Sequence, residues 1–304
     1  QLAIFKSISQ TAKDKGLLVW AVQSERIDHT FSFDKHSACK FLKFFEADGV
    51  IFLSSAMFLD GNMTTERLKN CINNLPCVSV GYNYSGIPSI LIRNRISMTN
   101  IVEHLIKVHG YKTFLFIGGE KYHNDNMVRE SVFKRTIKRY AEKFPDIHAE
   151  YAHCNWSEHQ TFAFMKDYLA RHPNKAPDAI VAANDNMAIG VLKFLRSVHE
   201  PAWQNVAVTG YDDIPQSASE IPALTTVSQP LQKLGAAAVL GLKALMEGET
   251  VPMRLHIDTE VRIRNSCGCA VEPLKDKKTL DYKNEYAPNY QFRFKADYYL
   301  NIVS

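Results

Sequence analysis

The sequence predicts a parallel, doubly wound α/β fold. Short apolar runs suited to buried strands alternate along the chain with stretches whose apolar residues have helical spacing. The clearest unit has apolar runs at 177–183 and 206–211 and a helical pattern over 187–198. Both runs end in polar, carboxylate-bearing residues, at the sheet edge where open α/β sheets bind ligands. We therefore expect the functional site at that edge.

The remaining elements continue the alternation. Helices are predicted over residues 2–15, 36–47, 64–73, 98–108, 125–143, 159–170 and 231–246. Strands are predicted over residues 17–22, 49–54, 76–81, 89–92, 114–119, 149–154, 224–229 and 255–263. Because the chain opens on a helix, we expect that a first strand of the fold is missing. Residues 271–304 lose the α/β period and are predicted to be a linker or the start of a further segment.

Composition excludes several classes of protein. With 304 residues the chain has room for roughly two domains, and 46% hydrophobic and 22% charged residues are typical of soluble proteins. A net charge of +4 that is spread along the chain gives little support for nucleic acid as a direct ligand. No apolar run approaches the roughly 18 residues of a membrane helix. Six scattered cysteines favour reduced thiols and a cytoplasmic location, although a mature exported protein would look similar.

A set of short motifs along residues 1–270 carries a family resemblance. They are Asp48–Ile51, His104–Ile106, His109–Gly110, Asn184–Gly190, Val206–Asp213, Leu224–Pro230, Leu234–Gly235 and Arg262–Ser266. In this order they resemble the effector-binding domain of lac-repressor-type (LacI/GalR) regulators. The resemblance implies the two-lobed fold of type I periplasmic binding proteins, with a three-strand hinge and a ligand cleft. It assigns residues 1–110 and 230–250 to one lobe, and 111–229 and 251–270 to the other.

Two features indicate a subgroup. Arg264–Cys269 and the opening Gln1-Leu2 resemble sensor domains that precede diguanylate cyclase or histidine kinase modules. The sequence also departs from the family, since Arg93-Asn94 stands where Asp-Asn is usual and no helix-turn-helix headpiece occurs in these residues. DNA binding is therefore expected only through a domain that this chain lacks.

The resemblance places two side chains in the cleft. Arg129 stands where the family carries a cleft arginine, and its planar fork can hold a diol or a carboxylate. The alternative is a surface arginine that pairs with Glu130 or Asp125. Trp156 stands where the family places an aromatic ring that stacks on the ligand. The alternative is a tryptophan of the core.

Polar residues at strand ends supply the other candidates. Asp212 ends a buried strand and can accept hydrogen bonds from ligand hydroxyls, unless it serves as a cap or hinge contact, a role open also to Asp213. Of Asn184 and Asp185, one is expected to cap the following helix and the other to reach the ligand. Two further candidates are Gln229 on the hinge strand and Ser54, with Ser55 beside it, at the end of strand 49–54.

No metal or cofactor site is expected. His148, His153, Cys154 and His159 lack a recognised zinc spacing. Cys267-Gly268-Cys269 is open to a redox or metal-ligand role, but we interpret it as a family tail motif. Gly118-Gly119 is not a dinucleotide fingerprint, and neither a phosphate-binding GxxxxGK loop nor a GxSxG elbow occurs.

The sequence thus predicts a ligand-sensing domain that is not an enzyme. A small polar molecule, with a sugar as the first choice, would bind between the lobes of a homodimeric signalling protein. One alternative is the effector-binding and dimerisation domain of a LacI-type repressor whose DNA-binding headpiece lies elsewhere. A more remote alternative is an α/β enzyme with Asp185 or Asp212 as its base, for which the sequence offers no nucleophile or cofactor loop.

Overall fold

The computed structural model of the protein describes residues 2–22, 46–53, 66, 69–70, 72 and 74–270. Its strands are β1 (Val50–Leu53), β2 (Cys77–Val80), β3 (Ser89–Ile92), β4 (Thr113–Gly118), β5 (His148–His153), β6 (Ala179–Ala182), β7 (Ala207–Thr209), β8 (Thr226–Ser228), β9 (Arg254–Ile257) and β10 (Glu260–Arg262). Its α-helices are α1 (Leu2–Asp14), α2 (Asn94–His109), α3 (Asn124–Ala141), α4 (Glu158–Arg171), α5 (Asp185–Arg196), α6 (Pro215–Ser219) and α7 (Leu231–Met246).

The strands form two parallel sheets, so the predicted α/β fold is confirmed. The first sheet has the order β1-β2-β3-β9 and the second the order β5-β4-β6-β7. Strands β8 and β10 form a separate antiparallel pair. Within the described ranges, no helix is long and apolar enough to cross a membrane.

Each sheet has its own apolar core. In the first, Val78, Val80 and Ile90 pack against Leu234 and Ala238 of α7. Helices cover both faces of the second sheet. Strand β6 (Ala-Ile-Val-Ala) is therefore buried on both sides, and all four of its side chains are apolar. We refer to the first sheet with α1 and α7 as the first lobe. The second sheet with α2 to α6, β8 and β10 is the second lobe.

Among the described residues, the chain passes between the lobes at three places. It leaves β3 for α2 at Arg93, leaves β8 for α7 at residues 229–230, and leaves β9 for β10 at residues 258–259. The first and third crossings are joined by an ion pair of 2.8 Å between Arg93 Nε and Asp258 Oδ1. Arg93, which departs from the family pattern, therefore holds two hinge segments together.

Two segments belong to a different lobe from the one predicted for them. Helix α2 falls within residues 1–110, but its apolar face packs in the core of the second sheet. Strand β9 falls within residues 251–270, but it pairs with β3 in the first sheet. The hinge explains both differences, because a predicted single strand over 255–263 breaks at Asp258 and its halves join different sheets. Such a break cannot be seen in a side-chain pattern that continues through it.

Most of the predicted helices and strands are confirmed, and one predicted strand is wrong. Most helices and strands lie within a few residues of their predicted bounds, whereas residues 17–22 were wrongly predicted as a strand and are not in a β ladder. Leu18 and Trp20 of this run are exposed, 83% and 65% respectively. An apolar run becomes a strand only where a neighbouring strand offers its backbone groups. The predicted helix 36–47, most of helix 64–73 and the tail 271–304 lie outside the described residues.

Candidate functional site

Polar residues gather at the carboxyl edge of the second sheet. Strands β4, β5, β6 and β7 run parallel and end side by side there. The residues that follow them include Gly119, Trp156, Asn184 and Asp212, while the start of α3 faces the same edge. Strand ends that lie far apart in sequence thus meet in one place, as the alternation of strands and helices predicted.

Arg129 of α3 is the central cation of this edge. Its side chain is only 3% exposed, and its Nη1 donates a hydrogen bond of 2.6 Å to the carbonyl oxygen of Ala183. The guanidinium carbon lies 3.8 Å from the centre of the Tyr211 ring and 6.0 Å from that of Trp156. Its Nε is buried and has no hydrogen-bond partner among the described residues. Arg129 is therefore buried at the sheet edge, and the alternative of a surface arginine does not hold.

Asp212 is the anion that faces Arg129. Its Oδ1 lies 3.5 Å from Arg129 Nη1 and accepts a short hydrogen bond from Nε2 of Gln229. Burial raises the pKa of Asp212 to about 7; Arg129 opposes this rise, whereas Asp185 adds to it. Burial disfavours the charge on Arg129, but Asp212 and Asp125 outweigh that effect and raise its pKa. The carboxyl group can therefore gain or lose a proton near neutral pH beside a permanent cation.

The indole of Trp156 lies against the backbone of Gly119. A Cβ atom built on Gly119 would lie 2.1 Å from the Cε2 of Trp156, so a larger residue at this position would displace the indole. The ring of His123 meets the indole edge-on, with 5.1 Å between the ring centres. The Gly118-Gly119 pair thus has a structural role that is unrelated to nucleotide binding, because Gly119 leaves space for the indole of Trp156.

Unusual backbone conformations cluster at this edge. Asn155 and Trp156 have φ of 49° and 61°, and Asp212 and Asp213 have φ of 124° and 53°. Residues other than glycine seldom adopt positive φ, and such strain occurs most often at functional sites. Both strained pairs hold a predicted ligand residue.

Asn184 and Asp185 both serve the structure of the second lobe. Asn184 caps α5, because its Oδ1 accepts a hydrogen bond of 3.0 Å from the N–H of Met187. Asp185 is fully buried and accepts hydrogen bonds from Thr226 Oγ1, from Ser217 Oγ and from the N–H of Ile214. The sequence predicted the cap, but it did not predict that the carboxylate of Asp185 would be occupied by protein donors.

Gln229 lies at the hinge, Asp213 is paired within the second lobe, and two candidates fall beyond the described part. Gln229 begins the second crossing and holds Asp212 through its amide. Asp213 forms an ion pair of 2.7 Å with Arg264, which follows β10. Ser54 and Ser55 fall outside the described residues.

Sequence reasoning missed two buried residues of the site. The hydroxyl group of Tyr211 lies 2.9 Å from Oγ of Ser97, so the ring that stacks on Arg129 is anchored to α2. Asn94 donates a hydrogen bond of 3.2 Å to Asp125, while its Oδ1 is buried without a partner among the described residues. The position of Tyr211 before two aspartates was a usable signal; Asn94 gave none, since a helix-initiating asparagine is common.

The histidines and the cysteine that lack a recognised zinc spacing lie apart from one another in the structure. His153 pairs with Glu130 at 3.0 Å, Cys154 is buried, and His148 and His159 are exposed. Glu130 also contacts Lys134, and both partners favour its charged form. His153 thus belongs to a surface ion-pair group with Glu130 and Lys134, and the four residues do not form a common site.

Residues 102–267, more than half of the chain, match the family described as the periplasmic binding protein-like domain. The chain belongs to this family.

Sequence relatives are of the lac-repressor type. The chain is 26% identical to the HTH-type transcriptional repressor MelR of Bacillus subtilis, over 80% of this chain and 68% of that protein. It is 36% identical to the lactose operon repressor of Klebsiella pneumoniae, over 45% of this chain and 36% of that protein. The resemblance to a LacI-type effector-binding domain is therefore confirmed, and the chain spans between about one third and two thirds of these relatives.

A solved structure has the same fold. The lac repressor dimer bound to operator and to the anti-inducer ONPF superposes with a TM-score of 0.72 at 22% identity, over 87% of this chain and 88% of that chain. At this identity the likeness extends to the fold alone. The relatives favour a repressor over a sensor that precedes a cyclase or kinase module.

Proposed function

We propose that the chain is the effector-binding domain of a LacI-type transcriptional regulator and binds a small polar molecule of the sugar class between its lobes. The observation that carries this proposal is the buried Arg129, whose Nε has no hydrogen-bond partner among the described residues and which lies beside Asp212. A buried donor without a partner is costly. A ligand oxygen would satisfy it.

The groups at the edge match the surface of a sugar. Arg129 supplies donors, Asp212 supplies acceptors, and the indole of Trp156 supplies a flat apolar face for a pyranose or furanose ring. Few precisely placed polar groups and one aromatic surface are typical of a small-molecule site. No nucleophile with an adjacent base is found at the described part of this edge, which argues against the enzyme alternative.

Ligand binding would be transmitted through the hinge. The ion pair Arg93–Asp258 joins two hinge segments, and Arg93 adjoins Asn94 of the site. Gln229, which begins the second crossing, holds Asp212 through its amide. A ligand that contacts both lobes stabilises their closed arrangement in proportion to its differential affinity. We further propose that the chain is a homodimer and that it reaches DNA through a separate headpiece, as the similarity to named repressors supports.

The test is a thermal-shift screen of the protein against sugars, sugar phosphates, nucleobases and amino acids. A ligand at a hundred times its dissociation constant adds about 2.7 kcal/mol of stability. We expect a sugar to raise the melting temperature, and Arg129→Ala and Trp156→Ala to abolish the shift. Arg139→Ala, an exposed arginine of the same helix, is the control. A shift that survives both cleft substitutions, or none from any class, would refute the proposal.

Two further measurements separate the alternatives. Light scattering of the purified protein tests the homodimer. The complete reading frame distinguishes the regulator from the signalling sensor: a helix-turn-helix segment ahead of residue 1 supports the repressor, whereas a catalytic module after residue 304 supports the sensor.

A further inference from the structure

Four side chains with metal-binding atoms converge on the second lobe, away from the cleft residues. His104 and His109 lie on the last turns of α2, and Cys267 and Cys269 lie in the segment that follows β10. Their ligand atoms all lie within 4.8 Å of one another. The two pairs are about 160 residues apart in sequence, so only the tertiary fold brings them together.

Four of the six separations between the ligand atoms match a tetrahedral zinc site. The two Nε2 atoms are 3.2 Å apart, and Cys269 Sγ lies 3.5 Å from His104 Nε2 and 3.4 Å from His109 Nε2. Cys267 Sγ lies 3.5 Å from His104 Nε2. Zinc bonds of about 2.05 Å to nitrogen and 2.3 Å to sulfur, at tetrahedral angles, require about 3.4 Å between two nitrogens and 3.6 Å between nitrogen and sulfur. Each of these four separations lies within about 0.2 Å of these values.

The backbone between the cysteines is shaped for joint ligation. Gly268 has φ of 98°, which reverses the chain so that both sulfur atoms face the histidines. A Cβ atom at this position would also lie 2.7 Å from the hydroxyl oxygen of Tyr111. That hydroxyl donates to the carbonyl oxygen of Cys267, and the Tyr111 ring stacks on His109 with 5.1 Å between centres. Tyr111 therefore holds one ligand from each pair in place.

The chemistry of the four groups selects the metal. Thiolate and imidazole ligands favour zinc over magnesium or calcium, and two thiolates balance the charge of Zn²⁺. Neither cysteine is in a disulfide. His104 is 3% exposed and Cys267 fully buried, whereas His109 and Cys269 are partly exposed.

We propose that His104, His109, Cys267 and Cys269 bind a structural Zn²⁺ ion. Four protein ligands leave no open coordination position, which is the arrangement of structural rather than catalytic zinc. The ion fastens the chain just after hinge strand β10 to the carboxyl end of α2, the helix that follows the Arg93 crossing. It thereby fixes residues 267–269 to the second lobe. This departs from the expectation, drawn from the sequence, that the chain has no metal site.

The first test is the metal content of the protein purified under reducing conditions without added metal or chelator. We expect one equivalent of zinc per chain by mass spectrometry of the elements, and less than a tenth of that in Cys267→Ser/Cys269→Ser. Cys77→Ala removes a buried thiol of the first lobe and should leave the zinc content unchanged. Absence of zinc from the native protein, or its full retention in the double variant, would overturn the proposal.

A second test does not depend on how the variants fold. The native protein, stripped with a chelator under reducing conditions, is titrated with Co²⁺ alone. We expect the visible bands of tetrahedral cobalt and a near-ultraviolet thiolate-to-cobalt band, both removed by one equivalent of Zn²⁺. Chelation should also lower the melting temperature, and zinc should restore it. A weak octahedral spectrum without the thiolate band, or copper or iron as the native metal, would contradict the zinc assignment.

Discussion

The guanidinium carbon of Arg129 lies 3.8 Å from the centre of the buried Tyr211 ring, while Asp212, the next residue, meets the same guanidinium at 3.5 Å. The guanidinium of Arg129 is thus held by stacking on Tyr211 and by the charge of Asp212. Asp212 also has a strained backbone, with a φ of 124°.

Arg129→Ala should destabilise the protein by about 2–4 kcal/mol, because it removes a buried cation and leaves the Asp212 carboxyl and the Ala183 carbonyl without their partner. Urea unfolding measures the change. Arg139→Ala is a matched control, since Arg139 on the same helix also contacts a carboxylate and an aromatic ring but is exposed. It should have little effect. Equal losses for the two variants would contradict the buried role of Arg129.

Gly119→Ala should displace the indole of Trp156, since the added Cβ would lie 2.1 Å from its ring. We expect a loss of about 1–3 kcal/mol from overpacking, together with a changed tryptophan fluorescence spectrum. Gly241→Ala provides the contrast. This glycine lies within α7, its added Cβ would meet only Val78 at 3.8 Å, and alanine should stabilise the helix by about 0.5–1 kcal/mol. An unchanged spectrum in Gly119→Ala would show that the indole lies elsewhere.

Asp185→Asn should cost about 2–4 kcal/mol. The buried carboxylate accepts hydrogen bonds from Thr226, Ser217 and the Ile214 amide, and an asparagine amide would place N–H groups opposite one or more of these donors. The free energy of unfolding in urea measures the loss. Asp146→Asn breaks an exposed ion pair with Lys112 and should change little. A neutral result for Asp185→Asn would mean that the residue is free to serve the ligand.

The stability of the protein should depend on the protonation of Asp212. The unfolded chain releases this proton near pH 4, whereas burial raises the pKa in the folded protein to about 7. The folded state binds more protons between these values, so its free energy of unfolding falls as the pH rises from about 4 to about 7. Asp212→Asn lacks this dependence.

The difference between wild type and Asp212→Asn is therefore the quantity to measure. As the pH rises across this range, the free energy of unfolding of Asp212→Asn should increase by about 1–2 kcal/mol relative to that of the wild type. This magnitude allows for the 31% exposure of the Asp212 side chain. Asp258→Asn is a control, because Asp258 is 78% exposed at its side chain. A difference that stays constant with pH, or shifts the other way, would contradict the raised pKa.

Much of the site could be predicted because strand ends leave a local signature. Asp212 follows a short apolar run and Trp156 follows the predicted strand 149–154, and parallel strands bring such ends together whatever the details of packing. Arg129 was placed by family resemblance, since a helix-borne arginine has no such signature. Whether a carboxylate faces the cleft or the protein depends on its donors, which is why Asp185 could not be distinguished from Asp212 beforehand.

The sequence by itself determined the α/β class, nearly all of the described elements and the sheet edge that carries the site, because these follow from the periodicity of apolar residues. Only the tertiary structure decided where the hinge divides the lobes, which polar atoms are occupied, and that His104 and His109 lie beside Cys267 and Cys269. Those outcomes depend on contacts between residues far apart in sequence, and no local pattern records such contacts.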